Sequence, residues 1–285
     1  MKIGIGCYYL DKYGIEDGAR RMAEHGYDSI DFNLSDTETE YYSAKEEFFF
    51  TAVSKLKKAL DKNGIEVNQI HGPWRFPPKD ATEDDRAERF GKMTKAMAVA
   101  KFLGAKYMAI HPLMPFGVDE NINPDEVYEI NKRFFKALSD VAGKLGVTVC
   151  LENMPFREFS LSSPESILKL IEDIGSPHLK FCFDSGHANY RSESMRDSIL
   201  TVGKERLAIL HIHDNFGDSD SHLPPYDGNI DWAELVEALY EIDYSGVMNI
   251  ESSPVKIAGF ADMSEAEKTE AELNLAKIAK LLAGK

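Results

Sequence analysis

The stretch LKFCFDSGHANYRSESMRDSILTVGKERLAILHIHDN, residues 179–215, contains one full turn of the pattern that decides the fold. An apolar run of strand length, Leu179–Asp184, ends on an acidic residue. A helical segment over Ser192–Lys204 follows, and a second apolar run, Leu207–His213, ends in histidines. Two short buried strands separated by a helix are joined as parallel neighbours, because only a crossover returns the chain to the same edge. The period extends outward in both directions. Strands are expected near Lys2–Cys7, Ser29–Asn33, Ile65–His71, Tyr107–His111, Val147–Glu152 and Val247–Glu251. Helices are expected around Gly14–His25, Asp84–Phe102, Asp125–Lys144, Pro164–Ile174, Trp232–Ile242 and Ser264–Leu282. In FFTAVSKLKKAL (49–60), Phe49, Ala52, Val53, Leu56, Ala59 and Leu60 share one helical face, away from Lys55, Lys57 and Lys58.

Glycines at 26, 64, 104, 146, 175 and 246 each precede a strand, where a helix needs a left-handed residue to stop. Eight βα units in a chain of 285 residues match a (β/α)₈ TIM barrel, here read as one domain over 1–285. An open doubly wound sheet is the structural alternative. It would carry a glycine-rich phosphate turn after its first strand, and GCYYLDKYG (6–14) matches that poorly.

Lys plus Arg number 33 against 48 Asp plus Glu, a formal charge of −15, which opposes binding to nucleic acid or an anionic membrane. The longest apolar runs are strand-sized, and residues 1–10 lack the features of a signal peptide. Cys7, Cys150 and Cys182 are far apart and lie in apolar runs, which fits buried thiols of a reducing compartment. A soluble cytoplasmic protein acting on a small molecule is the expectation.

Function is written at the strand ends. Strand three closes on His71, strand four on His111, strand five on Glu152, strand six on Asp184, strand seven on His211 and His213, and strand eight on Glu251. In a barrel these ends converge on one mouth, where the active site sits. Converging carboxylates repel and lose water, so they need a positive charge nearby. Few lysines or arginines are placed to supply it. A divalent cation would, and mixed carboxylate and imidazole donors suit Zn²⁺ or Mn²⁺, with Mg²⁺ or Co²⁺ as alternatives. His187 follows Asp184 at the same mouth, and Asp220 and His222 lie in the loop after strand seven as further candidate ligands. The bland reading of that loop is that Asp227, Asn229 and Asp231 cap the next helix. Trp74 and Phe76 are candidate walls of the pocket, and Arg75 and Lys79 are the basic residues of their loop. His25 and His178 read as capping or solvent residues.

Taken together, HGPW (71–74), ENMP (152–155), FDSGHAN (183–189), HIHDN (211–215), DSHLPPYDGNIDW (220–232) and IES (250–252) resemble the xylose isomerase-like barrel superfamily. The resemblance covers nearly the whole chain and is strongest to the sugar phosphate isomerase/epimerase group. It implies a metal held by Glu152, Asp184, His211 and Glu251, with Glu152 and Glu251 as the acid–base pair. His187 would contact substrate oxygens. The implied reaction is isomerisation or epimerisation of a small ketose, polyol or keto acid by proton transfer through a metal-stabilised enediolate. An inosose dehydratase-like lyase and a homo-oligomeric assembly also fall within what the resemblance implies.

Endonuclease IV, a zinc-dependent apurinic-site nuclease, shares this superfamily. Its ligand set can be drawn here as His71, His111, Glu152, Asp184, His187, His211, Asp220, His222 and Glu251. The scarcity of basic residues in the mouth loops argues against a duplex binder. A barrel that binds metal or sugar without catalysis is the third reading.

Overall fold

The strands are β1 (Lys2–Ile5), β2 (Ser29–Asn33), β3 (Glu66–His71), β4 (Tyr107–Ile110), β5 (Thr148–Glu152), β6 (Leu179–Asp184), β7 (Leu207–His211) and β8 (Val247–Ile250). They run parallel in the order β7-β6-β5-β4-β3-β2-β1-β8. The sheet closes on itself where Ile212 bridges Ile250, with Ile212 N donating to Asn249 O and Glu251 N to Ile212 O. This is a (β/α)₈ barrel. The computed structural model describes residues 1–36, 46–74, 77–78, 80–118 and 123–285, without the side chains of 46–49. Arg75, Phe76, Lys79 and the side chain of Phe49 therefore lie outside the described residues.

Around the barrel run α1 (Tyr8–Tyr13), α2 (Ile15–His25), α3 (Glu46–Lys62), α4 (Glu83–Leu103), α5 (Pro124–Leu145), α6 (Pro164–Ile174), α7 (Ser185–Tyr190), α8 (Met195–Arg206), α9 (Trp232–Glu241) and α10 (Glu265–Leu282). Their starts are chemically marked. Thr82 and Ser264 open α4 and α10 with capping boxes, and Asp231 caps α9 by accepting from Glu234 N. Among the described residues no helix is long and apolar enough to cross a membrane.

The strands expected to end at Cys7, His111, His213 and Glu251 stop earlier, at Ile5, Ile110, His211 and Ile250. At β7 the reason is visible: His213 N donates to the Ser185 hydroxyl rather than to the sheet. The short helix α7 was not expected. Asp184 creates it by accepting from His187 N at 2.6 Å, so the strand-end acid is also an N-cap. Helix α8 starts at Met195 rather than Ser192, because Ser192 is left-handed and the cap is Ser194. Gly246 is not the left-handed stop expected of it. Asp243, at φ 52°, takes that role after α9, and Gly246 instead makes room for Tyr244, whose hydroxyl would lie 2.3 Å from an added Cβ. His25 is buried rather than solvent-facing and pairs with Tyr9 Oη at 2.7 Å.

Side chains alternate along each strand, so the residue two before a strand-end donor lies beneath it inside the barrel. Under Glu152, Asp184, His211 and His111 these are Cys150, Cys182, Ile209 and Ala109, which pack together as a small dry cluster. Cys150 and Cys182 are free buried thiols, and burial pushes the half-buried Cys7 up to about 12.

Candidate active site

Glu152, Asp184, His211 and Glu251 arrive from β5, β6, β7 and the residue after β8. Each offers one donor atom, all within 4.8 Å of one another. His211 Nδ1 lies 3.2 Å from Glu152 Oε1 and 3.1 Å from Glu251 Oε2. His71 and His111 approach the other oxygen of Glu152, at 3.7 and 3.4 Å through Nε2. A second donor group is formed by His187, His213, Asp220 and His222. Within it, Asp220 Oδ2 lies 3.3 Å from His187 Nε2 and 3.4 Å from His222 Nε2. Every strand-end residue expected at the mouth is therefore there, and so are Asp220 and His222.

The β7–α9 loop reaches back to the mouth because Asp214 pins it. Asp214 Oδ2 accepts from Trp232 Nε1 and Tyr226 N, and its Oδ1 accepts from Asn215 N and Ile230 N. His222 and Tyr226 adopt left-handed backbone at φ 51° and 75°, a conformation that disfavours side chains and persists only where surroundings enforce it. Of the capping residues in the bland reading, Asp231 does cap α9.

Sequence reasoning placed His213 at the mouth without a ligand role and left Asn153 and Asp31 out of the site. His213 puts Nε2 3.1 Å from Asp184 Oδ2, and its ring stacks on His222 at 3.9 Å. Gly186 permits this, since a Cβ there would sit 1.9 Å from His213 Cε1. Its signal was available: two residues after His211, it shares that residue's face. Asn153 cradles Asp184 through both backbone groups and offers its carbonyl to His187 Nδ1 at 2.8 Å. Asp31, at the middle of β2, lies 3.1 Å from His211 Nε2.

Burial pushes the Glu152 carboxyl up, but His211 and His111 overcome it and hold the group well below its usual range. Glu251 behaves likewise, with His211 as the opposing charge. Burial lowers His222, yet Asp220 and Glu251 carry it up to about 9. Burial dominates at His111, which falls to about 4. His187 and His211 are raised despite burial, by Asp184 and Asp220 for the first and by Cys182, Glu251 and Glu152 for the second.

Glu152 Oε2, Glu251 Oε2 and His211 Nδ1 are buried without a hydrogen-bond partner. Orphaned donors of mixed oxygen and nitrogen type, aimed at one point, fit a divalent cation. Above them opens a cavity of about 580 Å³ walled by Trp74, Met154, Phe156 and Tyr190, the Trp74 ring edge-on to His111 at 4.3 Å. A second cavity of about 300 Å³, lined by Gly6, Tyr8, Ser252 and Lys256, adjoins it across Asn33, His71, His222 and Glu251.

A (β/α)₈ barrel with carboxylates and imidazoles gathered at the carboxyl ends of its strands defines a class of barrel proteins. The chain belongs to the xylose isomerase-like TIM barrel family, whose model matches residues 19–278. It is 30% identical over 271 residues to the uncharacterized protein MJ1311 of Methanocaldococcus jannaschii, covering 90% of this chain and 86% of that one. It is 27% identical over 264 residues to the D-psicose 3-epimerase of Enterocloster bolteae, covering 88% and 82%. Among solved structures, the IOLI protein with a bound zinc atom superposes over 100% of this chain with a TM-score of 0.79 at 20% identity.

Proposed function

We propose that this protein is a divalent-metal-dependent isomerase or epimerase of a small sugar or related polyol or keto acid. The observation that carries the reading is the pair of carboxylates, buried Glu152 and half-buried Glu251, that meet at His211 Nδ1 with an oxygen of each left without a hydrogen bond. Likeness to a D-psicose 3-epimerase supports a sugar substrate.

A cation held by Glu152, Asp184, His211 and Glu251 would polarise the substrate carbonyl. The protein's own residues do the rest. One of Glu152 and Glu251 takes the proton beside the carbonyl and the other returns a proton to the opposite face or the neighbouring carbon. Their lowered pKa values leave the abstracting carboxylate ionised at neutral pH, and the other takes up a proton from solvent before it returns one to the substrate. His187, held by the Asn153 carbonyl through Nδ1 and by Asp220 through Nε2, lines the cavity, where substrate hydroxyls would exchange with Asp220 at Nε2. Trp74, Phe156 and Tyr190 exclude water from the apolar face of the sugar.

The test is exchange in deuterated water. With Mn²⁺, Co²⁺, Mg²⁺ or Zn²⁺ supplied in turn, at least one ketose, inosose or hydroxy-keto acid should gain deuterium at the carbon beside its carbonyl. A dehydratase would start from the same abstraction and release water. A broad panel without exchange under any metal removes the reading.

The second donor group favours one rival. With His71, Glu152 and His211 as a further set, the mouth offers donors for more than one ion, as in endonuclease IV-like nucleases. Against this, Lys256 is the only Lys or Arg among the described residues lining the two cavities. Elemental analysis giving three ions per chain, together with incision of abasic duplex at near-physiological salt, would establish the nuclease instead.

A further inference from the structure

Beneath the mouth the barrel interior has two unlike halves. The dry cluster of Ala109, Cys150, Cys182 and Ile209 fills the side from β4 to β7. On β2, β3 and β8 the corresponding positions hold Asp31, Gln69 and Asn249, all buried. Gly4 on β1 leaves them space, since a Cβ there would lie 2.7 Å from Asn249 Oδ1 and 2.8 Å from Ser29 Oγ. Polar groups in a barrel core where branched aliphatics usually sit are costly unless they serve one another or the site above. Here three side chains converge on a single atom. Asp31 Oδ2 accepts from Gln69 Nε2 at 2.9 Å and from Asn249 Nδ2 at 3.2 Å, and it lies 3.1 Å from His211 Nε2, within ion-pair distance but with the ring not aligned for a hydrogen bond.

The mouth histidines also differ in which nitrogen they offer. Nδ1 of His71, His187 and His222 lies 2.9, 2.8 and 3.3 Å from the carbonyls of Gly72, Asn153 and Glu251. A carbonyl only accepts, so those Nδ1 atoms carry the proton and Nε2 is left for the donor groups. His211 is turned the other way. Its Nδ1 faces Glu152 and Glu251, and its Nε2 faces a carboxylate.

We propose that Asp31, held by Gln69 and Asn249, is the positioning residue that takes the Nε2–H of His211. It fixes the ring with Nδ1 toward Glu152, Asp184 and Glu251, and so sets the affinity of that cluster for a divalent cation. A carboxylate on the second nitrogen of a metal-binding histidine orients the ring and raises its basicity as a ligand. The proposal rests on the metal-dependent reading above.

Two variants separate the parts of this role. Asp31→Asn keeps an oxygen at the Oδ2 position and places its amide nitrogen where Oδ1 has no hydrogen-bond partner, so it removes charge while leaving an acceptor. Asp31→Val removes the acceptor. The full chain, stripped with a chelator, is titrated with Zn²⁺ against a competing chromophoric chelator, and the Zn²⁺-loaded protein is examined by ¹⁵N-histidine NMR with His211→Gln for assignment. In the wild type, His211 should bind Zn²⁺ through Nδ1 and show a slowly exchanging Nε2–H. Asp31→Val should lower Zn²⁺ affinity about 10–100-fold and lose that proton to exchange. Asp31→Asn should keep the proton, shifted upfield, with a smaller loss of affinity. Should the Val variant not fold, the wild-type spectrum and the Asn variant still decide. The proposal is overturned by Nδ1–H on His211 in the loaded wild type, or by Zn²⁺ affinities within twofold of wild type in the folded variants. A wild type that takes up no Zn²⁺ defeats the metal reading as well; normal uptake with unmoved variants defeats only the role of Asp31.

Discussion

Glu272 on the outer helix layer and the carboxylates of the barrel mouth are built on opposite principles. Glu272 on α10 is fully buried, yet the chain surrounds it with its own cations and hydroxyls. Its Oε1 accepts from Tyr13 Oη at 2.6 Å, Tyr8 Oη at 2.8 Å and Lys12 Nζ at 3.0 Å, and Arg21 stands 3.6 Å from Oε2. At the barrel mouth, Glu152, Asp184 and Glu251 have imidazoles for company and, among the described residues, no lysine or arginine ion pair. Glu272 has Oε1 saturated by its neighbours and Oε2 facing Arg21 without a hydrogen bond, so cations answer its charge where α10 docks against α1 and α2. The mouth gathers three carboxylates with orphaned donor atoms and answers them with imidazoles, which is the arrangement a cation would complete.

That contrast breaks most sharply under mutation. Glu152→Gln or Glu251→Gln should lower substrate C–H exchange about 10²–10⁴-fold, the range a positioned acid or base contributes. The melting temperature of the metal-free protein should fall modestly, because each change removes the pairing with His211 that holds the carboxyl below its usual range. Glu272→Ala should do the reverse. Losing a carboxylate that accepts three hydrogen bonds should cost about 1–3 kcal/mol in urea unfolding, since Lys12 and Arg21 keep partial contact with water, while kcat/KM of the folded fraction is unchanged. If Glu272→Ala removed activity without loss of stability, the division between the two regions would be wrong.

A divalent metal sharpens the same line at smaller scale. At a concentration 100-fold above its Kd, it should stabilise the wild type by about 2.7 kcal/mol, and Glu152→Gln should lose most of that gain. Glu272→Gln should keep it.

Dependence on pH gives the smallest effect. His222 rises from 6.5 to about 9 in the folded chain, so its pairing with Asp220 contributes fully below pH 6.5 and is lost as pH climbs through about 9. Metal-free protein should therefore melt several degrees lower at pH 9 than at pH 6.5. Metal affinity should rise with pH, because the ion displaces the proton of His211, which is also held above its usual range. Glu272, whose carboxyl is held below its usual range by the tyrosines and Lys12 against burial, should add no slope there.

Much of the site was legible because a barrel converts position along a strand into position in space. Glu152, Asp184 and His211 end β5, β6 and β7, and once eight units are counted their convergence follows. What escaped had no local mark. Asp31 sits mid-strand, two residues before the expected boundary of β2, and reads as an exposed alternation until the barrel closes it against β7. His213 was visible as a strand-end residue, but the backbone turn that aims it at Asp184 depends on Ser185, contributed by another loop.

The sequence by itself determined the alternation of strands and helices, the helix caps and the donors at the strand ends, because these depend on periodicity and on neighbours within a few residues. Only the tertiary structure decided which nitrogen of each histidine faces the cluster and which donors group together, and that Asp31 stands beneath His211. Those facts depend on residues from strands as far apart in the chain as β2 and β7, brought within hydrogen-bond distance only when the barrel closes.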